Sequence, residues 1–431
     1  MMFQIRRRIQ TLISRSRAGD GRGPVPAGRM GDGRGPAPTG LPPHLLRGDE
    51  PTLPSRWYID PAHHRRELAS IWYRRWLCVG REEELPAPRD FAVVGIDDQS
   101  VLVARDQDGG LRAFHNTCRH RGSRLCDEER GRLRGAAIVC PYHGWTYGLD
   151  GSLRGARYQV ESPAFRREEH SLHPVAVDSW GGFLFVNLQG EAAPPLLSEL
   201  GEAPQALGAW PLASLRVGHR EVLALACNWK VFWENFSECF HCPGVHPELS
   251  RLVPIYGRGL LDPADEGAPP RGTGGEPPGP LAPPHVSEPP GPLAPPAVTW
   301  TLDGRSELPP LPGLGEAERR RGQVFGVSWP STFIVAHVDY VRSVRLRPIG
   351  PERTELVVEW LFDPALLARG DLDLERVVAL GRLVVEQDSR ACERNQQGLH
   401  SLAHREGVLV PQEYGVFAFQ QWVRDQLGDA G

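Results

Sequence analysis

The sequence predicts a two-domain α+β protein in which an all-β domain precedes a domain that combines an antiparallel sheet with helices. In the first domain, apolar and β-branched runs at 91–105 and 182–188 are bounded by turn residues and predict strands. The pairs Gly109-Gly110 and Asp150-Gly151 are typical of hairpin turns. Because 431 residues exceed the usual size of one domain, a second domain is expected to follow.

The second domain shows both strand and helix patterns. Residues 333–348 and 354–362 predict two strands that are joined by the Gly-Pro turn at 350 and 351. A long helical pattern then runs from about Asp373 to Leu402. Paired strands with a helix after them indicate an antiparallel sheet covered by helices.

Two low-complexity segments interrupt these patterns. Residues 19–38 repeat Gly-Asp-Gly-Arg-Gly-Pro at a period of 12, and a disordered tail is predicted over 1–45 because such a tract lacks apolar residues. A Pro/Gly-rich insertion at 262–298 carries prolines at a density that excludes helix and sheet interiors. We therefore expect a first domain at 46–190, with an N-terminal helical segment, and a second at 191–431.

Composition excludes several classes of protein. The formal net charge is −4, and Lys230 is the only lysine, while the arginines are spread along the chain. This distribution does not indicate a nucleic-acid or membrane-surface partner. No apolar run approaches the roughly 18 residues of a membrane span, so a soluble, cytoplasmic protein is expected. The eight cysteines are sparse, and two pairs lie beside histidines, which favours metal binding over disulfides.

The first candidate metal site alternates cysteine and histidine. One residue lies within the first Cys/His pair, two lie within the second, and 19 separate the pairs; the ligands are Cys118, His120, Cys140 and His143. Two cysteines on one iron and two histidines on the other form a relatively oxidising [2Fe–2S] cluster. The alternative is a structural zinc site, but zinc fingers usually present both cysteines before both histidines.

A second candidate site lies in residues 228–246. Helical spacing predicts that Glu234, Glu238 and His241 share one face of an otherwise apolar helix. Buried carboxylates need a metal or a hydrogen-bonded partner. Pro243-Gly244 is expected to end this helix after His241, so that His246 turns back toward the same ion.

The same segment contains a Cys-x-x-Cys motif, Cys239 to Cys242, which is open to interpretation as a redox motif. Redox motifs of this kind normally open a helix after a strand, whereas this one is predicted to close a helix. We therefore favour the metal site.

A mononuclear iron site of two histidines needs one carboxylate and leaves positions open for O₂. The long C-terminal helix offers Glu386, Asp388 and Glu393. The two glutamates lie on a charged face with arginines at helical spacing, which is typical of a solvated surface. Asp388 lies on the apolar face, where a carboxylate requires a cation, and is the predicted third ligand.

These motifs together resemble a known family. Asn116-Thr-Cys-Arg-His-Arg-Gly-Ser and Val139-Cys-Pro-Tyr-His-Gly-Trp-Thr-Tyr resemble the Rieske signature of ring-hydroxylating oxygenase α subunits. Asn-Trp-Lys, Glu-Asn-Phe, His-x4-His and Gln-Asp-x-x-x-Cys-Glu resemble the catalytic domain of the same enzymes. The resemblance implies a Rieske [2Fe–2S] domain, a helix-grip catalytic domain, and an iron ion held by His241, His246 and Asp388.

The resemblance also implies how electrons reach the iron. In this family, trimers place the Rieske cluster of one subunit against the iron of its neighbour, so electrons would pass from His143 through a bridging acid to His241. Glu238 matches that acid, which is more often Asp in the family; Glu resembles the branch that acts on quaternary ammonium compounds such as carnitine. The chain lacks a nucleotide-binding motif and a plant-type ferredoxin cysteine run, so a separate flavin/iron-sulfur reductase would deliver electrons from NAD(P)H.

The combination of motifs also indicates a class of substrate. They are most similar to those of glycine betaine or stachydrine demethylases and of choline monooxygenase, which implies N-demethylation or monooxygenation of a quaternary ammonium compound. Trp233, Tyr256 and Trp329 are candidates for an aromatic cage around the methylammonium group. Two alternatives are open: dioxygenation of an aromatic ring, and a Rieske electron carrier without oxygenase chemistry.

Overall fold

The structure, a computed structural model, describes residues 45–46, 50–157, 159–160, 162–261 and 293–428. The predicted low-complexity segments, 1–45 and 262–298, lie outside these ranges except for Leu45 and residues 293–298. Within the described ranges, no helix is long and apolar enough to cross a membrane.

The first part of the chain is mostly β-structure, as predicted. Seven antiparallel strands form one sheet in the order β2-β11-β10-β5-β4-β3-β6, and three more form the sheet β7-β8-β9. The elements are β1 (Glu50–Pro51), α1 (Arg56–Ile59), α2 (Pro61–Glu67), β2 (Leu77–Arg81), β3 (Asp90–Ile96), β4 (Gln99–Arg105), β5 (Leu111–His115), β6 (Arg130–Arg132), β7 (Ala137–Val139), β8 (Trp145–Gly148), β9 (Leu153–Ala156), β10 (Pro174–Trp180) and β11 (Phe183–Asn187).

Strand β4 joins two cores because successive side chains of a strand point to opposite faces. Val101 and Val103 pack into the large core that continues into the second domain. Leu102 and Ala104 pack into a smaller core beneath the three-stranded sheet. Both hairpins predicted from sequence are present, since β4 pairs with β5 across Gly109-Gly110 and β8 pairs with β9 across Asp150-Gly151.

The second part is an antiparallel sheet with helices, also as predicted. Its five strands run in the order β12-β16-β15-β14-β13, and a short strand β17 pairs with β1. The elements are α3 (Leu196–Leu200), α4 (Ala203–Ala206), β12 (Arg216–Leu225), α5 (Trp229–Phe236), α6 (Cys242–Val245), α7 (Pro247–Leu252), α8 (Glu316–Arg321), β13 (Gln323–Ser328), β14 (Thr332–His337), β15 (Val341–Pro348), β16 (Thr354–Phe362), α9 (Pro364–Arg369), α10 (Leu374–Leu399), β17 (Val408–Leu409) and α11 (Tyr414–Leu427).

Helix α10 is the long helix predicted from the periodic pattern, and it lies close against the sheet. Asp373 caps its N-terminus by accepting a hydrogen bond from the backbone N–H of Arg376. Gly381 permits the close approach, because a Cβ at this position would lie 2.9 Å from Arg342 Nη1 and 3.2 Å from the Trp360 ring. The helix therefore positions its apolar face, which includes Asp388, over the interior of the domain.

Two predicted elements were wrong in extent. The strand predicted over 333–348 is two strands, β14 and β15, because the chain turns between them and the His337 N–H donates to the Tyr340 carbonyl at 2.9 Å. The helix predicted to run from about residue 228 to His241 ends at Phe236. There the Ser237 hydroxyl donates to the Trp233 carbonyl at 2.7 Å, which competes with continuation of the helix.

Candidate active site

Two equivalent turns carry the four residues of the first candidate metal site. The Gly122 N–H donates to the Cys118 carbonyl at 2.9 Å, and the Gly144 N–H donates to the Cys140 carbonyl at 3.1 Å. Both glycines have positive φ angles, +74° and +72°, which residues with a side chain rarely adopt. The sequence folds locally into these turns, so each Cys and its His are brought to the same tip.

The side chains at the two tips converge. Cys118 and Cys140 are buried, whereas His120 and His143 lie nearer the surface with their Nδ1 atoms 3.2 Å apart. The His120 ring stacks on Trp145, with the ring centres 4.9 Å apart. Two buried thiols and two imidazoles that present the same nitrogen fit the donor set of a Rieske cluster.

Tyr147 supports this site and was not identified from the sequence. Its hydroxyl lies 3.2 Å from Cys118 Sγ, and its oxygen accepts a hydrogen bond from the Arg119 N–H at 3.0 Å. The hydroxyl hydrogen is therefore free to point toward the sulfur. Hydrogen bonds to cluster sulfurs tune the reduction potential, so Tyr147 has the geometry of a tuning residue.

Three side chains from separate segments meet at the second candidate site. His241 precedes α6, His246 lies between α6 and α7, and Asp388 lies in the middle of α10. The Nε2 atoms of the two histidines are 3.2 Å apart. Asp388 Oδ1 lies 2.9 Å from His246 Nε2 and 3.4 Å from His241 Nε2. These three donor atoms face a common point, as a facial set of metal ligands requires.

Outer hydrogen bonds fix both rings with Nε2 toward this point. His241 Nδ1 lies 2.5 Å from Glu238 Oε1, and His246 Nδ1 lies 2.8 Å from Gln387 Oε1. Each Nδ1 therefore carries the hydrogen and donates it, which leaves each Nε2 lone pair for a metal. Burial alone would lower the pKa of His241, but Asp388 and Glu238 raise it to about 9. The site is thus electrostatically suited to a cation.

Cys242 is the nearest competing ligand. Its Sγ lies 3.9 Å from His241 Nε2, but it forms a disulfide with Cys239. The bonded sulfur is removed from the donor set, which leaves the Asp388 carboxylate as the third candidate ligand. The disulfide contradicts the expectation that the cysteines favour metal binding, and the Cys-x-x-Cys motif leads into helix α6 rather than closing a helix.

Two residues predicted for this region lie away from it. Glu234 accepts hydrogen bonds from the Tyr58 hydroxyl at 2.6 Å and from Gln420 Nε2 at 3.0 Å, and burial raises its pKa to about 7. It does not share a face with Glu238 because the helix ends between them. The Trp233 indole donates to the Pro330 carbonyl at 2.6 Å and belongs to the core rather than to the cavity wall.

A cavity of about 330 Å³ opens onto the triad. Its volume suits a small ligand. Tyr256 and Trp329, both predicted as cage residues, line it. The wall also contains aromatic residues that sequence analysis did not select: Phe232, Phe236, Trp300, Phe325 and Phe333. Arg342 is the one arginine in the wall, and it too was missed. Phe325, Phe333 and Arg342 reach the site on β13 to β15, far along the chain from the two histidines, so no local signal marks them.

Comparisons with known proteins match both parts of the chain. Residues 75–166 match the model of the Rieske [2Fe-2S] domain, and residues 212–429 match that of the ring hydroxylating alpha subunit (catalytic domain). The glycine betaine monooxygenase oxygenase subunit of Chromohalobacter salexigens is 32% identical over 406 residues, which cover 88% of this chain and 86% of that protein. The chloroplastic choline monooxygenase of Spinacia oleracea is 27% identical, over 89% of this chain and 80% of its own.

Solved structures share the fold. The quaternary ammonium Rieske monooxygenase CntA with inhibitor MMV12 superposes with a TM-score of 0.65 at 24% identity, over 89% of this chain and 96% of that chain. Naphthalene 1,2-dioxygenase from a Rhodococcus species gives 0.61 at 20% identity, over 88% and 95%. The chain therefore belongs to the family of Rieske non-haem iron oxygenase α subunits, oxidoreductases that use a Rieske [2Fe–2S] cluster and a mononuclear iron ion.

Proposed function

We propose that this oxygenase hydroxylates an N-methyl group of a small quaternary ammonium compound, with glycine betaine as the favoured substrate. One observation carries the proposal: the triad of His241, His246 and Asp388 faces a small cavity walled by aromatic rings. Aromatic faces attract methylated ammonium groups through cation–π interactions. The glycine betaine and choline monooxygenases named above act on compounds of this class, as their names state.

We assign the metal ligands from the contacts described above. Cys118, His120, Cys140 and His143 would hold the Rieske cluster, and His241, His246 and Asp388 would hold the iron ion. When bound, the iron supplies the activation of O₂ for insertion of oxygen into a substrate C–H bond. Electrons for this chemistry come from a separate reductase, as in other Rieske oxygenases.

Other residues of the chain orient the histidine ligands and exclude water from the cavity. Glu238 and Gln387 accept the Nδ1 hydrogens of the two histidine ligands, which aims each Nε2 at one point. The aromatic wall excludes water and places a methylammonium group beside the triad. Hydroxylation of an N-methyl carbon gives an unstable N-hydroxymethyl group, which breaks down to formaldehyde and the demethylated amine.

We also propose a homotrimer in which Glu238 connects the sites of two subunits. His120 is exposed at the cluster tip, and Tyr142, beside His143, is 57% exposed. Phe240, beside His241, is 51% exposed. Exposed aromatic residues at the edge of each metal site are suited to a contact that brings a neighbour's His143 close to Glu238. Mass measurement in solution tests the trimer, and Phe240→Asp is expected to dissociate it. A cytoplasmic location and the domain boundaries of 46–190 and 191–431 stay predictions.

A single assay tests the reaction. The purified oxygenase, a generic Rieske reductase, NADH and O₂ are incubated with glycine betaine, choline, carnitine or aromatic acids. Release of formaldehyde from a quaternary ammonium compound, in step with substrate-dependent NADH oxidation, is expected. Turnover of aromatic acids alone would show ring dioxygenation instead. Asp388→Ala should abolish turnover and reduce iron from three to two atoms per chain, whereas an electron carrier would keep its full activity.

A further inference from the structure

Arg342 is a buried cation without an anionic partner in the described part of the chain. It lies on β15, lines the cavity of the triad, and is 5% exposed. No described carboxylate pairs with its guanidinium, and its Nε atom has no hydrogen-bond partner. A buried charge without a partner destabilises a fold by several kcal/mol, so such a group usually has a ligand.

Two other arginines with little exposure have acceptors for their terminal guanidinium nitrogens, although their Nε atoms also lack a partner. Arg345, three residues along the same strand, pairs with Glu359 at 3.1 Å. Arg81 donates to the carbonyls of Gly181, Leu212 and Leu215, each at 2.9 Å. Arg342 therefore differs from these two arginines, because its guanidinium group has no carboxylate partner among the described residues. It also lies at the cavity wall.

The guanidinium of Arg342 is held in position by its neighbours. It lies over the Trp300 ring at 5.8 Å from the ring centre. On the other side, Gly381 leaves the space it occupies, since a Cβ there would lie 2.9 Å from Nη1. Burial lowers the pKa of Arg342, and the charge of Asp388 acts in the opposite direction. An arginine nevertheless stays protonated in proteins.

Two more donors of the cavity wall lack acceptors. The indole N–H groups of Trp300 and Trp329 are buried without a hydrogen-bond partner among the described residues. Together with Arg342 they form a set that contains donors only. A carboxylate is the matching ligand, because its two oxygens accept several hydrogen bonds and donate none. An alcohol or a second ammonium group matches this set poorly.

We propose that Arg342 binds the carboxylate of a zwitterionic substrate, so that this oxygenase selects betaines over amino alcohols. The inference rests on the proposed function, because the aromatic wall then receives the methylammonium end while Arg342 receives the carboxylate end. Asp388 is not the missing partner, since its carboxylate is already engaged by His241 and His246.

Binding to the anaerobic holoenzyme, measured by titration calorimetry, tests the proposal without turnover. Two matched ligand pairs differ only at the carboxylate end: glycine betaine with choline, and 3,3-dimethylbutyrate with 3,3-dimethylbutan-1-ol. The wild type should bind each carboxylate at least tenfold more tightly than its alcohol. Arg342→Met should weaken binding of both carboxylates by about 10- to 100-fold, the range for hydrogen bonds to charged groups, and change choline affinity less than threefold.

Arg347→Met is the matched control. Arg347 lies on the same strand, pairs with Glu355 at 2.7 Å, and does not line this cavity. Its removal takes away one positive charge and should change none of the four affinities by more than threefold. Equal losses for glycine betaine and choline in Arg342→Met, or no loss for either carboxylate, would overturn the proposal.

The outcomes separate this proposal from the proposed function. If choline releases formaldehyde and the wild type binds the alcohols more tightly than the carboxylates, the proposed role of Arg342 is wrong. N-demethylation as the function would still be supported. An absence of formaldehyde from every quaternary ammonium compound would remove the function itself. If Arg342→Met does not fold, the wild-type preference within the two ligand pairs still decides the proposal.

Discussion

Glu67→Gln is predicted to loosen the junction between the N-terminal helices and helix α5. The ammonium group of Lys230 forms an ion pair with Glu67 Oε1 at 2.6 Å, and it donates hydrogen bonds to the Trp57 carbonyl and to Asn228 Oδ1, both at 2.8 Å. Both charged side chains are 0% exposed. The Trp229 indole donates to the second carboxylate oxygen at 2.9 Å. The ammonium group is thus held by two hydrogen bonds and one ion pair.

The magnitude follows from this burial. Burial would raise the pKa of Glu67, but the charge of Lys230 and the hydrogen bonds from His63 and Lys230 together outweigh burial and lower it, so the carboxylate is ionised. Removing one partner of a buried ion pair costs about 3–5 kcal/mol. At about 1.4 kcal/mol per factor of ten, the junction should open about 10²- to 10³-fold more often, or slightly more. Glu199→Gln is the matched control, because the Glu199–Arg75 pair is partly exposed and worth about 0–1 kcal/mol.

Lys230 itself is the probe, because it is the only lysine of the chain. An amine-reactive acetylating reagent modifies Lys230 only when the junction opens, and peptide mass spectrometry gives the rate of that modification. When reclosing is fast, this rate follows the opening equilibrium. A rise of less than tenfold in Glu67→Gln, or an equal rise in Glu199→Gln, would refute the reasoning from buried charge.

Three further predictions concern the residues around the triad. Gln387→Leu removes the acceptor of the His246 Nδ1–H and should weaken iron binding about 10- to 100-fold. A chelator should then remove one iron per chain while the absorption of the cluster is unchanged. Retention of that iron would contradict this prediction. At pH values above 7, Glu234→Gln should have a higher melting temperature than the wild type, whereas below about pH 4.5 the two should be equal. Burial raises the pKa of Glu234 to about 7, so the stabilising contribution of the protonated carboxyl is lost as pH rises through that range. An equal difference in melting temperature at all pH values would contradict this prediction. Cys239 and Cys242 should resist alkylation in denaturant unless a reductant is added, as measured by intact mass.

The residues of the first site could be predicted because their geometry is local. Cys118 and His120 share one turn, and Cys140 and His143 share another, so sequence spacing alone brings each pair together. Asp388 could be predicted for a different reason. A single carboxylate on the apolar stripe of a 26-residue helix indicates a buried cation wherever that helix packs.

The features that sequence analysis missed depend on tertiary contacts. The end of α5 is set partly by Gly415 of helix α11, where a Cβ would lie 2.2 Å from the Ser237 carbonyl oxygen. Arg342 and Trp300 reach the cavity from segments about 100 and 60 residues beyond His241, and their missing partners become visible only when burial is known. The Cys239–Cys242 disulfide likewise depends on a turn that periodicity predicted as helix.

The buried charges in and beside the second domain differ in what compensates them, and this difference distinguishes structural groups from functional ones. Lys230 and Glu67 compensate each other completely, so their role is to anchor α5. Asp388, with the raised pKa of His241, indicates a place suited to positive charge, which the iron ion of the proposed site would supply. Arg342 has no carboxylate partner among the described residues, which supports the proposal that a ligand compensates it. An anion-binding group and a cation-attracting aromatic wall in one small cavity together favour a substrate that carries both charges.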